Sequence, residues 1–193
     1  MLLVETRDED PAQASTQPFG TVVFRGVLWD LSHLKPFVFK TEVSAGLEVS
    51  VLVIFSCHCF TKSLRWDERP ALQIPHDEFY VDDRERRVLC ERRYNLSRQL
   101  LRDIVMSLHT RRITLADDRR ANFMTVEHVE LGRTVLYAVF FEVEKDKLRK
   151  RLVLRVQSAY VLNSGLTKRQ RDAKKIALAT LLRNVYNGKP IRA

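Results

Sequence analysis

Two long apolar segments near the C-terminal end constrain the fold of this chain more than any other feature. The first spans residues 133–144 and the second spans residues 152–162, with a charged loop between them. Both are rich in β-branched and aromatic residues, which predicts a pair of strands in the middle of a sheet. Alternation places one set of side chains of the second strand on a single face: Leu152, Leu154, Val156, Ser158, Tyr160 and Leu162. A rigid strand that carries Ser158 and Tyr160 suits either catalysis or packing.

The preceding part of the chain predicts more strands. Residues 1–18 are polar and aperiodic, so we expect a flexible leader before a single α+β domain at residues 19–193. Three apolar segments with short links predict an N-terminal β-meander within residues 19–56. These segments are 20–29, 37–43 and 47–55.

Two further segments have the 3.6-residue periodicity of amphipathic helices. Asn95 can cap the first, at residues 95–110, and its apolar stripe is formed by Leu96, Leu100, Leu101, Ile104, Val105 and Leu108. Thr167 can cap the second, at residues 167–186, within a basic C-terminal helix and tail at residues 164–193. The expected fold class is therefore α+β, with an antiparallel sheet of about five or more strands covered by an amphipathic helix and followed by a basic C-terminal helix.

Positive charge is concentrated in the last quarter of the chain. Residues 145–193 contain 14 Lys and Arg and two acids, a net charge of +12; the whole chain carries +9, so the remainder carries −3. Such a cluster indicates a polyanionic partner, nucleic acid first and an anionic membrane surface second, or else a solubilising tail. Cations in the first turns of the last helix oppose its dipole, and a bound anion would explain them. The residues expected to bind nucleic acid are Arg92, Arg93, Arg155, Lys168, Arg169, Arg171, Lys174 and Lys175.

The sequence Ser56-Cys-His-Cys-Phe-Thr-Lys62 follows directly after a strand, where scaffolded sites are often placed. A structural histidine competes here with three chemical interpretations. The first is metal binding by the Cys-His-Cys triplet, and the second is a nucleophilic Cys59. The third is acid/base or phosphate chemistry by His58, with Lys62 beside it. Neighbouring strand residues point to opposite faces and no second Cys/His pair follows, so we expect no metal.

The late strand Leu154-Arg-Val-Gln-Ser-Ala-Tyr-Val161 resembles the terminal strand of the barnase/EndoU/colicin/RelE-like ribonucleases, a group that includes phage-borne toxins. An earlier histidine in the position of His58 is also in keeping with that group. The resemblance implies that His58 is the acid/base, that Ser158 replaces the usual Thr, and that Tyr160 contacts the substrate. Together with Lys62, these are the expected catalytic residues. This chain departs from the family pattern in having Ser for Thr, no Pro after the Tyr, and no obvious second catalytic His.

The chemistry implied by the resemblance is metal-independent RNA cleavage. A base takes the 2′-OH proton, the oxygen attacks the adjacent phosphate, and cationic side chains stabilise the developing charge. Such a reaction needs no cofactor and favours RNA over DNA as the partner, and the resemblance leaves open a protein inhibitor. No P-loop, Rossmann glycines or His-Glu-x-x-His pattern points to another enzyme class. The alternative is a non-catalytic nucleic-acid-binding or interaction module from a phage or mobile element, which binds through the basic tail alone.

Hydropathy and cysteine usage set expectations for location. No apolar run approaches the roughly 20 residues that a membrane-spanning helix needs. The first ten residues turn acidic before a signal-peptide core can form. The chain contains three cysteines, an odd number without disulfide-framework spacing, which predicts a reducing, cytoplasmic environment.

Overall fold

A mixed sheet of eight strands forms the centre of the molecule. The computed structural model describes residues 3–6, 19–82, 85–115 and 122–190. In spatial order the strands are β1 (Val4–Thr6), β4 (Phe37–Ser44), β5 (Leu47–Phe55), β12 (Arg151–Val161), β11 (Arg133–Asp146), β10 (Asn122–Glu130), β9 (Arg112–Thr114) and β13 (Lys175–Ala177). Two smaller sheets accompany it, one of β2 (Val23–Phe24) and β3 (Val27–Leu28), the other of β6 (Thr61–Ser63), β8 (Arg86–Leu89) and β7 (Phe79–Val81).

The two long C-terminal segments pair as predicted, because β11 and β12 are antiparallel neighbours at the centre of the sheet. The expectation of a wholly antiparallel sheet is wrong. On its other side β12 runs parallel to β5, with Leu152–Val156 opposite Val51–Phe55. A parallel pair requires a long crossover connection. The chain between β5 and β12 supplies one, since it contains the sheet of β6 to β8, the first helical segment and strands β9 to β11.

The N-terminal part contains one long hairpin where three strands were expected. Strands β4 and β5 form this hairpin. Residues 20–29 instead form the short β2–β3 hairpin, which turns at Arg25 (φ +51°) and Gly26 (φ +78°). Two successive residues with positive φ make the tight turn that suits a two-residue hairpin loop. The second neighbour of β4 is β1, which lies within the predicted leader; residues 1–2 and 7–18 of that leader lie outside the described residues.

The first helical segment begins at Glu91, earlier than predicted, and is not a uniform α-helix. It consists of α1 (Glu91–Leu96), a π-helical turn at Ser97–Leu101 and α2 (Arg102–Met106). Cys90 occupies the N-cap position, so the predicted cap Asn95 lies inside the helix.

The predicted C-terminal helix at residues 167–186 is divided in three. Thr167 caps α3 (Lys168–Asp172) through a capping box with Gln170, but the helix ends at Ala173, which is extended (ψ 147°). Residues Lys175–Ala177 then join the sheet as β13 against β9, and α4 (Leu178–Tyr186) follows. Lys174 and Lys175 therefore lie outside any helix, and the dipole argument does not apply to them.

Short helical pieces, not one helix, cover the core face of the sheet. The buried cluster joins Leu101, Ile104, Leu108, Leu178, Leu181 and Leu182 to Phe39, Val51, Val53, Val139, Phe141 and Leu154. The predicted fold class is therefore wrong: the protein is mainly β, with a mixed sheet, and has neither a single covering amphipathic helix nor a continuous basic C-terminal helix. Within the described residues, no helix is long and apolar enough to cross a membrane.

Candidate functional site

The Ser56–Cys59 sequence leaves the sheet through a tight turn at the end of β5. The Ser56 N–H donates to the Val156 carbonyl (3.0 Å) and its hydroxyl donates to the Gln157 carbonyl (2.5 Å), so Ser56 anchors the turn to β12. The same hydroxyl accepts a hydrogen bond from the His58 N–H (3.1 Å) and caps a 3-10 turn. Side chains in such a turn do not alternate between two faces as they would in a strand.

Both cysteines of this turn are buried and held as thiols. Cys57 Sγ donates to Oδ2 of Asp82 (3.1 Å). Burial, reinforced by that carboxylate, raises the pKa of Cys57 to about 12. Burial also raises the pKa of Cys59 to about 12, and no part of its side chain is exposed. Because the thiolate is the nucleophilic form, this environment disfavours a nucleophilic Cys59.

His58 is half exposed and faces a carboxylate. Its Nε2 lies 3.4 Å from Oε1 of Glu85. Burial lowers the pKa of His58, with Arg87 adding to the effect, and this favours the neutral imidazole, which can accept a proton. Arg87 is itself buried, forms an ion pair with Glu85, and donates from Nε to the Thr61 hydroxyl (2.7 Å). His58 therefore has a carboxylate partner, and two arginines, Arg87 and Arg93, lie near enough to affect its pKa.

Arg93 is a partly buried cation whose contacts in the described part of the chain are with neutral groups. One guanidinium nitrogen donates to the backbone carbonyls of His58 (3.1 Å) and Thr61 (2.8 Å). The guanidinium carbon lies 4.6 Å from the centre of the Tyr160 ring. Burial lowers the pKa of Arg93, and within the described ranges no carboxylate forms an ion pair with it. This positive charge is thus partly desolvated and held only by neutral groups.

Tyr160 and Ser158 lie on the opposite face of the sheet from the one that strict alternation predicts. The pairing of β11 with β12 shifts at Gln157, because Phe140 is opposite Ser158 while Phe141 is opposite Val156. This bulge reverses the alternation of all later residues in β12. Leu152, Leu154, Val156 and then Ala159 face the buried core. Ser158 and Tyr160 consequently share the other face with Phe140, whose ring stacks on Tyr160 at 5.3 Å.

Arg93 brings two of the expected catalytic residues together. His58 contacts it through a backbone carbonyl and Tyr160 through its ring face, so both lie within one small region. Ser158 is two residues from Tyr160 on the same face, and within the described chain its hydroxyl has no hydrogen-bond partner. The Lys62 ammonium pairs with the buried side chain of Asp67 (3.0 Å).

The expected nucleic-acid-binding residues fall into distinct environments. Arg92 is paired with both carboxylate oxygens of Glu130, its shortest contact being 2.6 Å, and Arg155 pairs with Glu144 at 3.5 Å. The C-terminal members are all solvent exposed, and we refer to them as the basic segment: Lys168, Arg169, Arg171, Lys174 and Lys175. A cross-strand row connects this segment to the site: Lys175 is opposite Thr114, Thr114 opposite Phe123, and Phe123 opposite Phe140.

Asp82, Glu85 and Arg87 are site residues that the sequence did not reveal. They come from the end of β7 and the start of β8, and they meet His58 because β6, which follows the Cys57–Cys59 turn, pairs with β8. Alternating acidic and basic residues at 84–87 are typical of a solvated surface. Nothing in the local pattern marks Arg87 as buried.

The fold and the site together define a mainly β protein with an imidazole, a carboxylate and a desolvated guanidinium at the end of a parallel strand pair. The sequence model of the YjaZ family matches residues 21–186, so the chain belongs to that family. Protein YjaZ of Escherichia coli (strain K12) is 27% identical over 179 residues, which cover 91% of this chain and 93% of that protein. No solved structure matches the chain. The site from His58 to Tyr160 lies entirely within the family match.

Proposed function

We propose that this protein binds RNA and cleaves it at the site formed by His58, Glu85, Arg93 and Tyr160. The observation that carries the proposal is Arg93, a partly desolvated cation that hydrogen-bonds to the His58 backbone carbonyl and for which the described residues supply no carboxylate partner. A desolvated charge is costly unless a counter-ion pairs with it, and a phosphodiester would supply that charge. The Tyr160 ring already contacts Phe140 and Arg93, so the group that Tyr160 offers to a nucleotide is its hydroxyl, which can donate or accept a hydrogen bond.

The proposed reaction is an internal transesterification. Neutral His58 takes the proton from the ribose 2′-OH, and the 2′-oxygen attacks the adjacent phosphorus as the bond from phosphorus to the 5′-oxygen breaks. His58 then returns the proton to the 5′-oxygen, so no further reactant is needed. Glu85 stabilises the transient imidazolium, and Arg93 stabilises the negative charge that develops on the phosphate. The products are a 2′,3′-cyclic phosphate and a free 5′-hydroxyl.

Cleavage of labelled single-stranded RNA in EDTA tests this proposal. We expect His58→Ala to lower the cleavage rate by about 10²- to 10⁴-fold, the usual contribution of a positioned acid/base. His76→Ala is the matched control, because His76 is exposed and outside the site. Equal rates for the wild type and the His58→Ala protein would refute catalysis at this site.

A second candidate function is non-catalytic nucleic-acid binding through the basic segment. It is favoured by five exposed cations within eight consecutive positions, residues 168–175. In that case the wild type would bind RNA without cleaving it, and His58→Ala would leave the affinity unchanged. We also propose a cytoplasmic location, which is supported by the three free cysteines.

A further inference from the structure

The turn after β5 brings three metal-ligating side chains together. One ligand atom each from Cys57, His58 and Asp82 lies within 4.8 Å of the other two. The closest of these contacts is already short, since Cys57 Sγ lies 3.1 Å from Asp82 Oδ2. Ligands of a tetrahedral zinc site, bound at about 2.0–2.3 Å, lie roughly 3–4 Å from one another. The three groups therefore need to close by only about 1 Å.

The local backbone explains why these side chains converge. Strand geometry would have separated Cys57 from His58, but both belong to the 3-10 turn that Ser56 caps. The Thr61 hydroxyl donates to the Cys57 carbonyl (2.9 Å) and fixes the far end of the turn. Cys57 is buried, so its sulfur is fixed in place within the protein and is not a mobile surface thiol.

Glu85 and Arg87 complete the environment of the three ligands. Glu85 contacts His58 through Nε2, so a metal bound through Nδ1 would leave that contact intact. A carboxylate on the opposite ring nitrogen is the usual support for a metal-bound histidine. Arg87 forms an ion pair with Glu85, and a divalent cation would be attracted by the negative charges of a Cys57 thiolate and the Asp82 carboxylate.

We propose that Cys57, His58 and Asp82 form a binding site for a divalent transition metal, zinc first. A sulfur, an imidazole nitrogen and one carboxylate suit Zn²⁺ and exclude Mg²⁺ and Ca²⁺, which prefer oxygen ligands. Binding replaces the Cys57 thiol proton by the metal and releases that proton to solvent. Three protein ligands leave a fourth position for water.

This site is independent of RNA cleavage, but the two proposals share His58. A metal bound to the imidazole would withdraw His58 from proton transfer. If both proposals hold, Zn²⁺ inhibits the ribonuclease and EDTA restores it. This regulatory consequence rests on the proposed function, whereas metal binding itself does not.

Titration with Co²⁺ under reducing conditions tests the site directly. A cobalt ion bound by a thiolate gives a near-ultraviolet sulfur-to-metal charge-transfer band, and we expect one equivalent of Co²⁺ per chain to produce it. Cys57→Ser should abolish the band and Asp82→Asn should weaken binding by at least about tenfold, in the range seen when a site loses support for its metal. Cys90→Ser is the matched control and should keep the band, because Cys90 is outside the group.

Two outcomes would overturn the metal site. One is the lack of a charge-transfer band in the wild type, which requires no variant to fold. The other is an unchanged band in a Cys57→Ser protein whose far-ultraviolet circular dichroism matches the wild type. RNA cleavage in EDTA is measured separately, so failure of the ribonuclease proposal leaves the cobalt result interpretable, and the reverse also holds.

Discussion

Arg92 and Arg93 are neighbours in the sequence, but their environments differ sharply. Arg92 is exposed and already bonded to the Glu130 carboxylate, whereas Arg93 is partly desolvated and bonded to two backbone carbonyls. An anion that approaches Arg92 must compete with Glu130, but Arg93 offers its charge without that competition. The difference makes Arg93 the residue on which phosphate recognition in the site depends.

The pair provides a matched test of phosphate recognition. Arg93→Gln should weaken binding of a short single-stranded RNA by about 10- to 100-fold. This range follows because a hydrogen bond to a charged group contributes roughly 1.5–3 kcal/mol. Arg92→Gln should change the affinity by less than about threefold, since an exposed ion pair contributes little. Fluorescence anisotropy in the His58→Ala background, where cleavage does not interfere, measures both. A larger loss for Arg92→Gln would assign phosphate recognition to the wrong residue.

Residue types carried much of the information about the site, but burial did not follow from them. The Cys-His-Cys sequence after a buried strand pointed to His58, and the structure places the His58 backbone carbonyl against Arg93, while the functional roles of both residues stay predictions. Arg87 was not identified, because its guanidinium is buried only when β6 and β8 pair, a contact between segments about 25 residues apart. Lys62 was placed in the site because it is close in sequence, yet its ammonium is directed to Asp67.

The period-two alternation of side chains along β12 breaks at Gln157, and this break decides which side chains of β12 face the candidate site. Alternation describes Leu152, Leu154 and Val156 correctly, and the bulge at Gln157 then moves Ser158 and Tyr160 to the other face. A bulge depends on the partner strand and on the place where β5 ends, just before Ser56. A short stretch of sequence around Gln157 contains neither piece of information.

The prediction of one helix at 167–186 was wrong for a related reason. The exposed edge of β9 offers backbone pairing to residues 175–177, and this tertiary contact overrides local propensity.

Ion pairs to two buried carboxylates hold the long connection between β6 and β7. Asp67 and Glu78 are each only 2% exposed, and Arg69 bridges them with contacts of 2.9 Å and 2.7 Å. Lys62 also contacts Asp67, and Arg25 of the β2–β3 hairpin also contacts Glu78. This network fixes the small sheet that positions Asp82, Glu85 and Arg87 around His58.

Removing one carboxylate from this network should destabilise the protein measurably. Asp67→Ala leaves Lys62 without this partner and Arg69 with Glu78 alone, and because both cations are partly exposed we expect a loss of about 1–3 kcal/mol of unfolding free energy. Asp77→Ala, at an exposed position in the same connection, should cost less than about 0.5 kcal/mol. Urea unfolding at neutral pH compares the two. Similar losses would mean that the ion pairs are not what stabilises the connection.

The same network predicts a dependence of stability on pH. Hydrogen bonds from Arg69 hold the pKa of Asp67 well below its usual range. For a carboxyl group whose pKa is lower in the folded state, the stabilisation is complete above the unfolded pKa, near 4, and is lost as the pH falls towards the folded pKa. The wild type should therefore lose more stability below about pH 4 than Asp67→Asn does. An equal loss of unfolding free energy between pH 7 and pH 3 in the two proteins would contradict this.

Across the whole molecule, one face of the sheet connects the site to the basic segment. The row that begins at Ser158 passes through Phe140, Phe123 and Thr114 and ends at Lys175, so it crosses four strand-to-strand steps. At about 4.8 Å per step this is roughly 19 Å. Phe123 and Thr114 in the middle of this row are buried, so the row gives the separation of the two regions and is not itself an open surface. An RNA strand held at Arg93 and Tyr160 would pass outside these two side chains to place later phosphates near the basic segment. The positive charge in the last quarter of the chain would then bind the phosphates that lie beyond the site.

Salt dependence of RNA binding tests this arrangement. Changing Lys168, Arg169, Arg171, Lys174 and Lys175 to Gln should flatten the slope of log affinity against log salt, by about 0.7 for each single-strand phosphate that loses its contact. Stability should be nearly unchanged, because exposed charges contribute little to it.

The control variant removes the same net charge by changing five cations that are exposed elsewhere: Lys35, Lys40, Arg65, Arg98 and Lys147. Both proteins carry His58→Ala and are titrated with labelled RNA between low and physiological salt. A flatter slope only in the first protein supports a phosphate path along this face. Equal slopes in the two proteins would show that net charge alone attracts RNA and that the basic segment has no specific part in binding.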